Sequence, residues 1–140
     1  MKLVPVDSAN EAHLRDLYDL LAERPTEASI SHRAMPTWEE HCRFVQGCPY
    51  AGWCLVQNAL GIVGSVYLTL DNAIGISIYR EFQRHGFGPA AVRMMMERHG
   101  LAKAIANVNP ANHPSIAMFE KRFNAKLIQF TYEIECPGAH

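Results

Sequence analysis

With 140 residues, 49% of them hydrophobic and 19% charged, the chain has the size of one ordinary domain and enough apolar surface to offset the entropy of ordering it, which excludes wholesale disorder. Thirteen Lys and Arg against fourteen Asp and Glu leave a net charge of -1 spread along the sequence, which argues against a dominant nucleic-acid footprint or a polybasic membrane surface. There is no run of about 18 apolar residues and no signal-like apolar stretch near Met1, so the expectation is a cytoplasmic protein. Cys42, Cys48, Cys54 and Cys136 match neither zinc-knuckle nor C-x-x-C spacing and read as reduced thiols.

Residues 2–7 read as a short first strand. Polar residues 8–10 then cap a helix with Leu14, Leu17, Tyr18 and Leu21 on one stripe. After a break holding Pro25 and Pro36, Thr37 and Glu40 form a capping box that opens a second helix, with Trp38 and Val45 on one side and an end near Gly47. Residues 53–56, 62–70 and 73–79 are β-rich runs separated by Gln57-Asn58 and Asp71-Asn72, which predicts three consecutive antiparallel strands. A Met-rich helix over 89–99, a buried strand over 103–108, a helix over 114–123 and a last strand over 126–135 complete the order βααβββαβαβ. The expected fold is a single α/β domain over 1–140, built as a mixed sheet with helices around it.

The segment that invites chemistry is Gln83-Arg84-His85-Gly86-Phe87-Gly88-Pro89, between the third of those strands and the helix opening at Pro89. Backbone N–H groups at a helix mouth point at a common spot where the helix dipole is positive, which suits a phosphate. Gly86 and Gly88 let the main chain approach closely, Pro89 has no N–H to leave unpaired, and Arg84 can add charge. A dinucleotide site of the G-x-G-x-x-A type needs an acidic residue ~20 positions on for the ribose. Residues 98–119 contain none, and no G-K-[ST] follows to make a Walker loop.

In these motifs the sequence resembles the GNAT superfamily of acyl-CoA-dependent N-acetyltransferases. Gln83, Gly86 and Gly88 match its [RQ]-x-x-G-x-[GA] loop, and the run from Ala104 to Val108, Asn112 and Glu120-Lys121 follows its next strand and helix in order. The resemblance implies central strands that splay apart to admit acetyl-CoA. The backbone of Ile76, Ser77 and Ile78 would pair with the pantetheine arm. Gln83, Arg84, His85, Gly86, Phe87 and Gly88 would hold the pyrophosphate, and Asn112 would touch the pantetheine from the other side. It further implies direct attack by an unprotonated primary amine, that of a small metabolite, an amino sugar or a protein N-terminus, with an acid protonating the departing thiolate.

The sequence departs from the family's commonest pattern in three places. Phe119 stands where many members carry a Tyr acid. Asn112-His113-Pro114-Ser115 instead fits the N-x-x-S version that resembles ribosomal-protein N-terminal acetyltransferases, so Ser115 is the first candidate acid, with a plain helix-start hydroxyl as the alternative. No acid lies on residues 73–79, which leaves Asp71, Tyr67, Tyr79 or a water chain to take the amine's proton. Phe123-Asn124-Ala125 replaces a Gly-Phe corner, which Asn tolerates in the left-handed conformation. A catalytically degenerate acyl-CoA sensor is the competing reading.

The seven histidines show no H-x-x-x-H spacing, so no metal is expected. His32 and His41 read as solvated, Met94, Met95 and Met96 as core, and Cys54 as a structural thiol. Trp38, Trp53 and Tyr50 suit core packing or an acceptor wall. Residues 24–37, with Glu27, His32 and Arg33, are expected to shape the acceptor pocket. No hairpin partner follows the final strand, so its edge is expected to be available for a homodimer.

Overall fold

The computed structural model describes residues 1–24 and 34–138. Strand β1 (Lys2–Pro5) leads into helix α1 (Glu11–Glu23), where the Asn10 side chain accepts from the Ala12 and His13 amides at 2.9 and 3.3 Å. That cap satisfies two of the donors a helix start leaves without partners. The helix buries Leu14, Leu17 and Leu20. Helix α2 (Trp38–Gln46) opens on the expected capping box: Glu40 N–H donates to Thr37 Oγ1 at 3.1 Å, and Thr37 N–H donates to the Glu40 carboxylate at 3.2 Å.

Strands β2 (Gly52–Asn58), β3 (Gly61–Leu68) and β4 (Ile74–Ile78) join β1 in one antiparallel sheet of order β1-β2-β3-β4. Side chains alternate across a sheet, so β2 serves two cores at once. Cys54 and Val56 pack with Val63, Val66, Leu68 and Ile74 beneath Ala91, Val92 and Met95 of helix α3 (Phe87–Arg98) and Phe119 of helix α4 (His113–Phe123). Leu55, on the opposite face, joins Leu14, Leu17 and Val45 beneath α1 and α2. Burying one such side chain contributes about 1.5–3 kcal/mol. Of the three methionines expected in the core, Met95 is fully buried and Met96 packs against the first core, whereas Met94 is half-buried and outside it; Cys54 is a buried thiol whose pKa burial pushes up.

Three expectations need correction. Residues 103–108 form no strand: they meet the sheet at a single parallel bridge between Ala73 and Ile105, where Ile74 N–H donates to the Ile105 carbonyl at 2.7 Å and Ile105 N–H to the Asn72 carbonyl at 3.0 Å. Residues 126–135 form none either, and every residue from 124 to 138 is exposed. The observed order is therefore βααβββαα. The physical reason is shared: alternating apolar residues make a segment fit for a sheet, but a strand exists only where a neighbour supplies the matching N–H and C=O groups. After Ile74 the neighbouring segment stops pairing with β4. Finally, His41 is not solvated but buried, and its Nε2 donates to the Leu14 carbonyl at 3.0 Å. Burial lowers its pKa below the ordinary value.

The corner after α4 behaves as the sequence allows. Asn124 adopts the left-handed conformation (φ 52°), and the Ala125 N–H donates to the Phe119 carbonyl at 3.1 Å.

Candidate active site

The site grows from one edge of the sheet. In β4 the Ile74 N–H points outward to Ile105, whereas the Tyr79 N–H points inward and donates to the Val63 carbonyl at 2.9 Å. Polar groups alternate sides along a strand, so Gly75 and Ser77 face β3 while the main-chain groups of Ile76 and Ile78 face out. Beyond the single bridge no strand covers that edge among the described residues. The outward carbonyl of Ile78 receives the Gln83 side-chain amide at 3.0 Å, which ties the following loop to the strand end.

That loop turns sharply. Arg84 (φ 66°) and Gly86 (φ 80°) are both left-handed, a conformation that costs a non-glycine residue roughly 1–2 kcal/mol. Gly86 is the N-cap of α3 and contributes no side-chain acceptor, so the first-turn amides of Phe87 and Gly88 are left uncapped. The helix starts two residues earlier than Pro89, which falls within the first turn. A Cβ at Gly86 would meet nothing within 4 Å, and one at Gly88 would meet only the Ile76 and Ile78 side chains at 3.9 Å. The protein itself therefore does not require glycine for space at either position. Neither glycine is crowded by a neighbouring side chain, which suits an anion cradle.

Beside the strand lies a narrow cleft of about 40 Å³, walled by Tyr67 of β3, Ile74, Gly75, Ile76 and Ser77 of β4, and Asn107, Val108, Asn109, Asn112 and Phe119 from the later chain, with Arg24 also lining it. Asn112 Oδ1 accepts from the Ser115 N–H at 3.3 Å, capping α4, so its amide NH2 is the group left to reach a ligand. Phe119, the position of the resembling family's Tyr, lines the cleft and is nearly buried. Ser115 is not in the wall, but it lies four residues before Phe119 and so on the same helical face, and it is half-buried.

Of the three candidate bases only Tyr67 lines the cleft; Asp71 and Tyr79 sit elsewhere. Asp71 is exposed in the β3–β4 turn, where its carboxylate accepts a short hydrogen bond from the Thr69 hydroxyl. The Tyr79 hydroxyl donates to Asp16 of α1, 3.0 Å from the carboxylate and 3.1 Å from the carbonyl. Burial first, then the Asp16 hydrogen bond and nearby acidic charge, push the Tyr79 pKa up and keep the phenol neutral. His85 is exposed, and its ring lies 6.2 Å from that of Phe87.

The aromatic residues assemble a wall the sequence left undecided. Tyr50 stacks on Tyr67 with centroids 4.2 Å apart and an interplanar angle of 9°, while Trp53 and Phe44 close on it edge-on. Burial, with the Tyr67 ring beside it, pushes the Tyr50 phenol up to about 12. Tyr67 lies directly over Gly75, where a Cβ would fall 2.1 Å from its ring. Sequence reasoning passed over Gly75, Asn107 and Asn109; a glycine inside a strand was the available signal of close approach. Trp38 and Trp53 both pack against the second core, Trp38 with Tyr18 and His41, and neither lines the cleft. The expectation for residues 24–37 falls largely outside the described residues, since Glu27, His32 and Arg33 are among those not described.

No helix is long and apolar enough to cross a membrane, and no group of three metal-ligating side chains occurs among the described residues. No curated protein sequence matches the chain. Solved structures do. RimL, a ribosomal L7/L12 alpha-N-protein acetyltransferase in complex with coenzyme A, aligns at 18% identity and TM-score 0.64, over 86% of this chain and 82% of its own. A phosphinothricin acetyltransferase (Pat) from Sinorhizobium meliloti, in complex with AcCoA, aligns at 20% and 0.66, over 86% and 72%. A spermidine N-acetyltransferase SpeG variant from Vibrio cholerae aligns at 17% and 0.66, over 87% and 79%. At these identities the likeness speaks for the fold. The family itself is shown by sequence: the acetyltransferase (GNAT) domain model matches residues 4–122, and the chain belongs to that family.

Proposed function

We propose that residues 1–140 work as one acetyltransferase domain that transfers an acetyl group from acetyl-CoA directly to a primary amine. The observation that carries this is the continuity of the outward main-chain groups of Ile76 and Ile78 with the uncapped mouth of α3 at Gly86. A pantetheine amide needs an open strand edge and a pyrophosphate needs a cluster of free N–H donors. In this chain they adjoin. Acetyl-CoA, when bound, supplies an activated acyl carbon and a thiolate leaving group. In this reading Ile76, Ser77 and Ile78 line the pantetheine arm, Gln83 to Gly88 hold the pyrophosphate with Arg84 and His85 at its rim, and Asn112 touches the arm from α4.

The amine nitrogen forms a bond to the thioester carbon as the carbon–sulfur bond breaks. Holding the two reactants in line supplies most of the acceleration. Ser115 donates to the leaving sulfur, since Phe119 has no proton to give and Ser115 shares its face of α4. The amine's proton leaves to water; Asp71 and Tyr79, both outside the cleft, take no part in this reading. The N-x-x-S run resembles that of the ribosomal-protein N-terminal acetyltransferases, and with RimL among the structural relatives this supports a protein N-terminus as an acceptor to try. Acceptors named for other relatives, spermidine and phosphinothricin, define the rest of the panel to be tried. The reading puts the enzyme in the cytoplasm.

The test combines calorimetric titration with acetyl-CoA and thiol release over an amine panel. Gly88→Val should weaken acetyl-CoA binding about tenfold (~1.4 kcal/mol) with the unfolding midpoint unchanged. Unchanged affinity would remove the pyrophosphate from this loop. Binding without thiol release on any amine would favour the sensor reading, which Phe119 and the acid-free β4 support.

A further inference from the structure

We propose that the Tyr67 hydroxyl accepts a hydrogen bond from the attacking amine, with Tyr50 and Gly75 holding it in place; this rests on the acetyl transfer already proposed. Cross-strand partners share a face of the sheet, and Tyr67 of β3 pairs with Gly75 of β4. Tyr79, in step with Gly75, reaches Asp16 of α1, so Tyr67 stands on the α1 side, opposite to Ile76, which packs against the first core. From an inner strand a side chain reaches the open edge by crossing its neighbour. Gly75 allows that crossing: a Cβ there would collide with both the ring and the hydroxyl of Tyr67, so the phenol lies over the β4 main chain, in the wall of the cleft.

The protein leaves this hydroxyl unused. The Tyr18 hydroxyl donates to the Pro36 carbonyl at 2.7 Å and the Tyr79 hydroxyl to Asp16, whereas the Tyr67 hydroxyl makes no hydrogen bond to another described residue. Trp53 Nε1 is the one fully buried side-chain atom without a partner among the described residues, so the Tyr67 oxygen is in contact with open space. Its ring is fixed by Tyr50, stacked on it at 4.2 Å with the planes 9° apart. The open edge of β4 runs from the Ala73–Ile105 bridge to the mouth of α3. In the transfer reading the acyl carrier enters at that mouth, so its reacting end falls toward the bridge, beside Gly75. There the Tyr67 oxygen accepts from one amine N–H, which turns the nitrogen lone pair toward the thioester carbon. As the nitrogen–carbon bond forms and the carbon–sulfur bond breaks, positive charge grows on nitrogen and the same hydrogen bond strengthens. The amine's proton still leaves to water, and the phenol keeps its own.

Tyr67→Phe removes the hydroxyl and keeps the stack. It should lower kcat/KM for the amine about 10- to 100-fold in the thiol-release assay, with calorimetric titration by acetyl-CoA unchanged. A binding probe separates the contact from turnover: CoA joined at sulfur through CH2–CO to propylamine, whose amide N–H takes the place of the attacking amine. Tyr67→Phe should weaken this conjugate about tenfold and leave the affinity of its N-methyl form, which has no N–H, unaffected. Tyr50 is a positioning residue that acts through Tyr67. Tyr50→Phe should therefore be silent, and Tyr50→Ala should lower turnover in the wild-type background but no further in Tyr67→Phe. Full turnover and full conjugate affinity in Tyr67→Phe, an equal loss of acetyl-CoA affinity, or a Tyr50→Ala loss that persists undiminished in Tyr67→Phe would each overturn the proposal. Absence of thiol release with every amine would instead sink the transfer reading, while the conjugate pair still reports whether Tyr67 accepts from the N–H.

Discussion

The two edges of β3 and β4 lead to opposite outcomes. Along β3 every partner is present: β2 on one side, β4 on the other, with Val63 and Val66 fully buried. Along the outer side of β4 the pairing ends after one bridge, and beyond it no strand among the described residues takes up the outward groups. Satisfied main chain makes scaffold, and unsatisfied main chain held rigid by that scaffold makes a site.

The contrast can be broken from the packed side first. Leu55 is fully buried, so Leu55→Ala should cost about 2–5 kcal/mol of unfolding free energy in urea denaturation. A loss under about 1 kcal/mol would show that the scaffold is loose. On the open side, Ser115→Ala should lower kcat about 10- to 100-fold with little change in acetyl-CoA affinity, as a hydrogen bond to a charged group is worth ~1.5–3 kcal/mol. An unaltered kcat would return Ser115 to the role of a helix-start residue. Between the two, Gly75→Ala drives a methyl into the Tyr67 ring and should cost about 1–3 kcal/mol in thermal denaturation. Full stability would mean that the ring swings aside and the Tyr50–Tyr67 stack is dispensable.

The smallest effect is one of pH. Burial lowers the His41 pKa below the ordinary histidine value, so the unfolded chain takes up a proton at a higher pH than the folded one. Its share of stability is present above that unfolded value and is lost as pH falls through the folded pKa. His41→Gln should flatten the fall in unfolding midpoint over that acidic range. An unchanged slope would assign it to other groups.

Much of this molecule was legible in its residues, and the parts that were not share a cause. The Thr37 and Glu40 box, the Asn58 turn that accepts from Leu60, and the alternation through β2 and β3 all depend on groups a few positions apart, so local order carries them. The glycine loop before α3 was legible for the same reason: the helix mouth lies at the end of its own segment. His41 was misread because its partner, the Leu14 carbonyl, is 27 residues away.

What the sequence determined by itself was therefore the four helices, the first four strands, the loop and its uncapped donors. Only the tertiary structure decided which strands find a neighbour. Residues 103–108 and 126–135 carry strand-like patterns, yet one makes a single bridge and the other lies exposed. Side-chain periodicity is a property of one segment, whereas a sheet hydrogen bond requires two, and the second is fixed by where the rest of the chain has packed.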